Sequence, residues 1–133
     1  MKKHLKKAEY NERFLAEVEK WHPNTFFDWK ITVVFYIAVH YIDAYLASHK
    51  IYCNDHQQRR YEIEEGLYNV TQLCLDNYNN LYRVSRHARY NGFTDIIEFN
   101  KYQNEKYKEA KSNLKKIKDF VIDDLEEGGL ISS

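Results

Sequence analysis

Apolar residues recur at helical spacing along almost the whole chain and divide it into five segments. The first, residues 3–20, predicts an amphipathic helix whose inward face would carry Tyr10, Phe14, Val18 and Trp21. The second, about 26–49, is apolar on nearly every side, which is typical of a helix at the centre of a bundle. Thr25 is the predicted N-cap of this helix, with Asp28 as the acidic residue three positions later.

The third segment is predicted to be a helix over about 56–76. Asp55 followed by Gln58 predicts its start, and one apolar stripe would face inward: Ile63, Leu67, Val70 and Cys74. Gly66 falls inside this helix. The following residues, 77–80, are turn-forming types and predict a break in the helix.

Two further helices complete the pattern. A short helix would bury Leu81, Val84 and Ala88 and stop at Asn91-Gly92. Thr94 is the predicted cap of the last, long helix, and Gly128-Gly129 its end; its buried stripe would be Ala110, Leu114, Ile117, Val121 and Leu125.

These elements predict an all-α fold, an up-and-down antiparallel four-helix bundle with an additional short helix. The domain would cover residues 1–127, and 128–133 would be a short flexible tail. The chain has only four glycines and one proline in 133 residues, which argues against an all-β protein with many tight turns.

Composition limits the possible functions. Twenty Lys and Arg balance twenty Asp and Glu, so the net charge argues against a protein that coats nucleic acid with its whole surface, but it does not exclude local basic patches. Two cysteines, Cys53 and Cys74, predict a reduced, cytoplasmic protein in which both thiols pack as small apolar groups. No uncharged run reaches the roughly 18–20 residues of a membrane span, so no membrane association is predicted. No dinucleotide, P-loop, zincin, di-iron or hydrolase motif occurs, so neither a cofactor nor a metal is predicted.

A polar stripe interrupts the apolar second helix. Thr32, Tyr36, His40 and Asp43 share one side of it, and buried polar groups need partners, water or a ligand. Arg60 lies on the inward stripe of the third helix, and Asp43 is its predicted partner in a structural ion pair, with a ligand contact as the alternative.

The segment 81–90 concentrates cationic and aromatic side chains without a single acid. Helical geometry places Arg83, Arg86, His87 and Tyr90 on one face, with Arg89 at its edge. Clustered guanidiniums with interleaved aromatics are used to hold phosphates and stacked bases. The alternative is an exposed helix whose arginines pair with nearby carboxylates.

Three blocks in this order resemble small prokaryotic proteins of the HEPN superfamily, over about residues 25–125. They are the segment Phe27-Asp28-Trp29-Lys30 to Ala47, then His56 with Arg59-Arg60, then Leu81 to Tyr90. The resemblance implies a helical bundle that commonly dimerises. It also implies metal-independent ribonuclease activity in toxin–antitoxin or anti-phage systems, with a nucleotidyltransferase-type or antitoxin partner protein. Catalytic members carry an Arg followed after four to six residues by a His, whereas Arg83 and His87 here have three between them.

Three functions are therefore carried forward, the third being a small-molecule sensor with a pocket in the bundle. In the first, an RNA- or nucleotide-binding protein cleaves RNA without metal: His40 and His87 act as the general acid and base, and Arg86 holds the phosphate. The other phosphate-binding candidates are Arg60, Arg83, Arg89 and Tyr90; Asp43 and Tyr36 would orient them. In the second, the chain is a non-catalytic binding or dimerisation module. Five of these candidates are predicted to lie close together in the fold: His40, Asp43, Arg60, Arg86 and Tyr90.

Overall fold

The computed structural model describes residues 1–66, 70–90 and 96–132, with the side chains of residues 89, 90 and 96–100 excepted. This part of the chain contains five helices and no strand, so the all-α prediction is confirmed. The helices are α1 (Lys2–Trp21), α2 (Phe27–Ser48), α3 (His56–Glu65), α4 (Gln72–Tyr90) and α5 (Ile96–Glu127).

Helix α2 is the centre of the bundle, as its all-round apolar pattern predicts. It packs against α1, α4 and α5, and α4 packs on α5. Ile31, Val34 and Ala38, on one side of α2, are completely buried, and so are Ile37 and Ala44, about 120–140° around the helix axis from Ile31. By length and composition α2 could also cross a membrane, but 72% of its most apolar stretch is buried inside the bundle. A buried core helix of a soluble protein has the same properties.

The predicted N-cap of α2 is wrong. The helix begins after Phe26, whose backbone is left-handed (φ 58°), and no side chain caps it. Lys30, buried in the first turn, instead reaches back, and its Nζ donates to the His22 carbonyl at 2.5 Å. The ammonium also lies 4.7 Å from the centroid of the Phe27 ring, so aromatic contact partly replaces water around it.

The boundary between α3 and α4 also differs from the prediction. Asp55 caps α3, accepting from the Gln58 amide at 2.8 Å, but α3 ends at Gly66 instead of continuing to residue 76. Residues 77–80, expected to form a turn, lie inside α4. Their amides are satisfied within or beside the helix: Asn77 donates to the Leu73 carbonyl, and Asn80 donates to Glu109 on α5. These bonds offset the weak helix propensity of asparagine.

At the other end of α4 and in α5, the predicted stop at Asn91-Gly92 and the cap at Thr94 lie outside the described residues. The inward face of α4, Leu81, Val84 and Ala88, is buried as predicted. Helix α5 ends at Glu127, directly before Gly128-Gly129, as predicted, and Gly129 has the left-handed backbone (φ 71°) that glycine adopts readily.

The inward face predicted for α1 is wrong. Ala8 and Leu15 are its buried residues, whereas Tyr10, Phe14 and Trp21 are exposed. Polar side chains on the inner side of α1 bind its neighbours: Glu12 accepts from the Tyr41 hydroxyl of α2, and Glu19 accepts from the Tyr107 hydroxyl of α5. The bulky aromatic residues of α1 therefore face outward.

Candidate functional site

The buried ion pair at the end of α2 joins Asp43 to Arg59, not to Arg60. Arg59 donates from Nε to Oδ1 at 2.8 Å and from Nη2 to Oδ2 at 3.1 Å, a bidentate pair with both side chains about one-tenth exposed. Burial disfavours the charge of Arg59, but the hydrogen bonds to Asp43 raise its pKa above the ordinary value. Arg60 is exposed and pairs with Glu64 one turn along α3.

A chain of hydrogen bonds leads from this pair to His56. The Tyr78 hydroxyl interacts with Arg59, and burial raises the pKa of Tyr78 to about 12. Tyr78 therefore stays protonated at neutral pH, and its hydroxyl shares a 2.7 Å hydrogen bond with His56 Nδ1, whose direction depends on the imidazole tautomer. The imidazole stacks on the Tyr82 ring with 3.5 Å between centroids and 11° between planes. Its buried Nε2 has no hydrogen-bond partner among the residues that the structure describes.

The charges of three guanidiniums act on His56. Burial lowers the pKa of His56, and the charges of Arg59, Arg60 and Arg86 lower it further. Arg86 lies with its guanidinium carbon 5.8 Å from the ring centroid of Tyr82, on which His56 stacks. Two of the residues expected to converge, Arg60 and Arg86, thus act on the charge of His56, and a pKa below the ordinary value keeps this imidazole mostly neutral at pH 7.

The polar stripe of α2 is spread over several environments. The Thr32 hydroxyl donates to the Asp28 carbonyl of its own helix at 3.0 Å, and Tyr36 is half exposed. His40 lies beside α1, with its Nδ1 3.3 Å from Nδ1 of His4. Only Asp43 enters the ion pair described above.

His40 lies in a basic groove, which we define by its described lining residues: Lys3, His4, Lys6, Lys7, Tyr10 and His40. The groove has a volume of about 500 Å³, and no carboxylate is among these lining residues. The first turn of α1 carries no acid either. Lysines there lie at the positive end of the helix dipole, so a bound anion would relieve unfavourable charge at this end of α1.

The His4–His40 contact is sensitive to protonation. Burial lowers the pKa of both imidazoles, and the positive charge of Arg59 lowers both further. Lys3 also lowers the pKa of His4, and Lys7 that of His40. The negative charge of Asp43 acts in the opposite direction and raises both pKa values. A hydrogen bond between the two Nδ1 atoms needs one of them to accept, so double protonation breaks it.

We expect the protein to lose stability as pH falls from about 7 to about 5. Because the folded-state pKa values lie below 6.5, the unfolded chain binds protons first, and stability declines as pH falls through this window. Thermal unfolding followed by circular dichroism checks this. His40→Gln should reduce the decline relative to the wild type, and the control His22→Gln, at an exposed position, should not. Equal pH dependence in His40→Gln and wild type would contradict the prediction.

The remaining candidates do not share one face. Arg86 lies over Tyr82, but Arg83 and His87 line a separate cavity between α4 and α5. The side chains of Arg89 and Tyr90 lie outside the described residues. The cationic segment 81–90 is therefore divided between two sides of α4.

The sequence pattern missed Arg59, which stands directly beside the chosen Arg60, because helical period alone does not decide between two such neighbours. His56 belongs to the residues that carry the family resemblance but is not among the site candidates from the sequence. The signal for the basic groove was available, since four lysines and no acid occupy the first seven residues.

Comparisons with protein-family models, with curated proteins and with solved structures find no match to this chain.

Proposed function

We propose that this chain is an RNA- or nucleotide-binding protein that resembles the HEPN superfamily and holds RNA phosphates in the basic groove. The observation that carries the proposal is the groove itself, with three lysines and two histidines around about 500 Å³ and no carboxylate among its described lining residues. Phosphate contacts by lysine supply most of the affinity of proteins for nucleic acid.

Exposed aromatic rings beside the groove favour single-stranded RNA. Tyr10 lines the groove, and Tyr36 lies one helical turn from His40 on α2, with both rings about half exposed. Stacking of bases on such rings stabilises single strands without needing a particular sequence. Arg86 and Tyr82 would extend the surface towards α4, since Tyr82 contacts Phe35, the neighbour of Tyr36.

Metal-independent cleavage of RNA is the second candidate function, and the His4–His40 pair favours it. One imidazole can accept the 2′-hydroxyl proton while the other donates to the leaving oxygen, and the lysines stabilise the phosphate charge. In this scheme His40 keeps the role expected from the sequence, and His4 takes the role expected of His87.

Fluorescence anisotropy with a labelled single-stranded RNA, in EDTA, tests the binding proposal. We expect saturable binding that weakens steeply as salt rises, because each phosphate contact releases counterions. Gel analysis of the same samples tests cleavage, with His40→Gln as the inactive variant. Absence of binding at low salt would overturn the proposal, and binding with intact RNA would select the non-catalytic module.

We further propose an up-and-down four-helix arrangement that forms a homodimer through α1. Contacts of α2 with α1 and α4, and of α4 with α5, support the arrangement. The exposed Phe14 and Trp21, 53% and 70% accessible, support an interface. Light scattering should give twice the 16.1 kDa chain mass, and Phe14→Ser should give the single mass.

A cytoplasmic location follows from the same proposal, with Cys53 and Cys74 as free thiols. The resemblance adds an expected nucleotidyltransferase-type or antitoxin partner and a setting in toxin–antitoxin or anti-phage defence.

A further inference from the structure

A cavity of about 190 Å³ lies between α4 and α5, away from the basic groove. Its walls include Arg83 and His87 from α4, and Tyr102, Gln103, Lys106 and Glu109 from α5. Exposure falls from Arg83, which is exposed, through the half-buried Lys106 to Gln103, which is completely buried. The cavity therefore has a charged mouth and a polar inner end.

Gln103 is the most deeply buried of the polar side chains that line the cavity. Within the part of the chain that the structure describes, neither its Nε2 nor its Oε1 makes a hydrogen bond, although both atoms are buried. A buried amide left unpaired on both sides destabilises a folded protein, and almost all such groups in native structures are satisfied. A molecule in the cavity with a donor beside an acceptor would satisfy both atoms once the Gln103 side chain turns towards it.

Among the described residues that line the cavity, Arg83, Lys106 and Glu109 leave an excess of one positive charge before His87 is counted. Glu109 accepts from Asn80 at 2.9 Å and from Lys106 at 3.2 Å, and the hydrogen bond from Asn80 lowers its pKa, so its carboxylate is ionised. Arg83 donates to the neutral amide of Asn80 at 2.7 Å. The excess of charge favours an anionic group of the ligand at the mouth.

Two aromatic rings, those of His87 and Tyr102, also line the cavity. The centroids of His87 and Tyr102 lie 5.3 Å apart with planes tilted by 48°. Rings at this position favour a planar group.

We propose that this cavity binds a small molecule that carries an anionic group and a planar donor–acceptor edge. The edge pairs with the Gln103 amide, while Arg83 and Lys106 hold the anionic group. Nucleobases of nucleoside monophosphates and carboxamides of amino acids both offer this edge. The site is distinct from the RNA groove, so either can exist without the other.

Isothermal titration calorimetry of the full chain, with AMP, L-glutamine and inorganic phosphate as probes, tests the proposal. We expect AMP or L-glutamine to bind. Gln103→Met should lower the affinity for that probe at least tenfold and leave the affinity for RNA unchanged. Gln103→Met should also raise the thermal midpoint of the free protein, because it removes two unpaired buried atoms. Binding of AMP alone identifies a nucleobase ligand, and binding of glutamine alone identifies a carboxamide ligand.

Lys106→Met, at the half-buried mouth, is the second variant and should weaken the same probe, whereas the control Lys108→Met, on the exposed side of α5, should not. A triple Lys3, Lys6 and Lys7→Gln variant should bind the probe as the wild type does. Failure of both organic probes overturns the proposal. The proposal is also overturned if AMP binds with the same affinity as inorganic phosphate and this affinity is unchanged in Gln103→Met. Binding of the phosphate group to surface lysines would then explain the result.

Discussion

Asp43→Ala is expected to lower the free energy of unfolding by about 3–5 kcal/mol. The substitution leaves the Arg59 guanidinium buried without its carboxylate, and it also disturbs the link from Arg59 through Tyr78 to His56. Breaking a buried pair on one side is costly because the remaining charge keeps its desolvation penalty. Urea denaturation followed by circular dichroism at pH 7 measures the difference.

Two further variants separate the ion pair from other causes. Arg60→Ala is the matched control and should change stability far less than Asp43→Ala, since Arg60 and Glu64 form an exposed pair within one helix. Asp43→Ala combined with Arg59→Met should recover much of the loss, because no buried charge then remains. A greater loss from Arg60→Ala than from Asp43→Ala would show that the assignment of the partner is wrong.

The second large effect is expected at the basic groove. Replacing Lys3, Lys6 and Lys7 with Gln should reduce affinity for single-stranded RNA about a hundred-fold at 0.1 M salt. If each lysine contacts one phosphate, each contact contributes about 0.7 to the slope of log affinity against log salt concentration for a single strand. Loss of three contacts should therefore make this slope shallower by about 2. Anisotropy titrations over a range of salt concentrations give both quantities.

A second triple variant controls for net charge. Replacing Lys108, Lys115 and Lys116 with Gln removes the same charge from exposed positions of α5. This variant should keep most of the affinity and the wild-type salt slope, apart from a small long-range effect. If the two triple variants lose the same affinity, the groove has no special role and only net charge matters.

The sequence by itself determined the elements whose signals are local or periodic. An apolar pattern on every side of residues 31–47 can only be satisfied by neighbours on several sides, so α2 had to be central. Asp55 with Gln58 and the glycine pair at 128–129 specify a helix start and end through backbone chemistry that needs no tertiary partner.

Predictions from local sequence were wrong where a side chain of another helix supplies a hydrogen bond that the local pattern does not take into account. Asparagines at 77–80 predict a turn, but Asn80 bonds to Glu109 and Asn113 on α5, and this cross-helix contact keeps α4 continuous. Likewise, Glu12 and Glu19 bind tyrosines of other helices, which turns the aromatic residues of α1 outward.

The sequence also identified which chemistry-bearing residues were candidates, but only the tertiary structure decided their partners. Arg59 and Arg60 flank the same stripe of α3, and the position of α3 against the end of α2 brings Arg59 to Asp43. Arg83 and Arg86 are three positions apart on α4, yet one faces α5 and the other faces Tyr82 and His56. Helical period fixes the direction of a side chain about its own axis, whereas its partner depends on how neighbouring helices are placed around that axis.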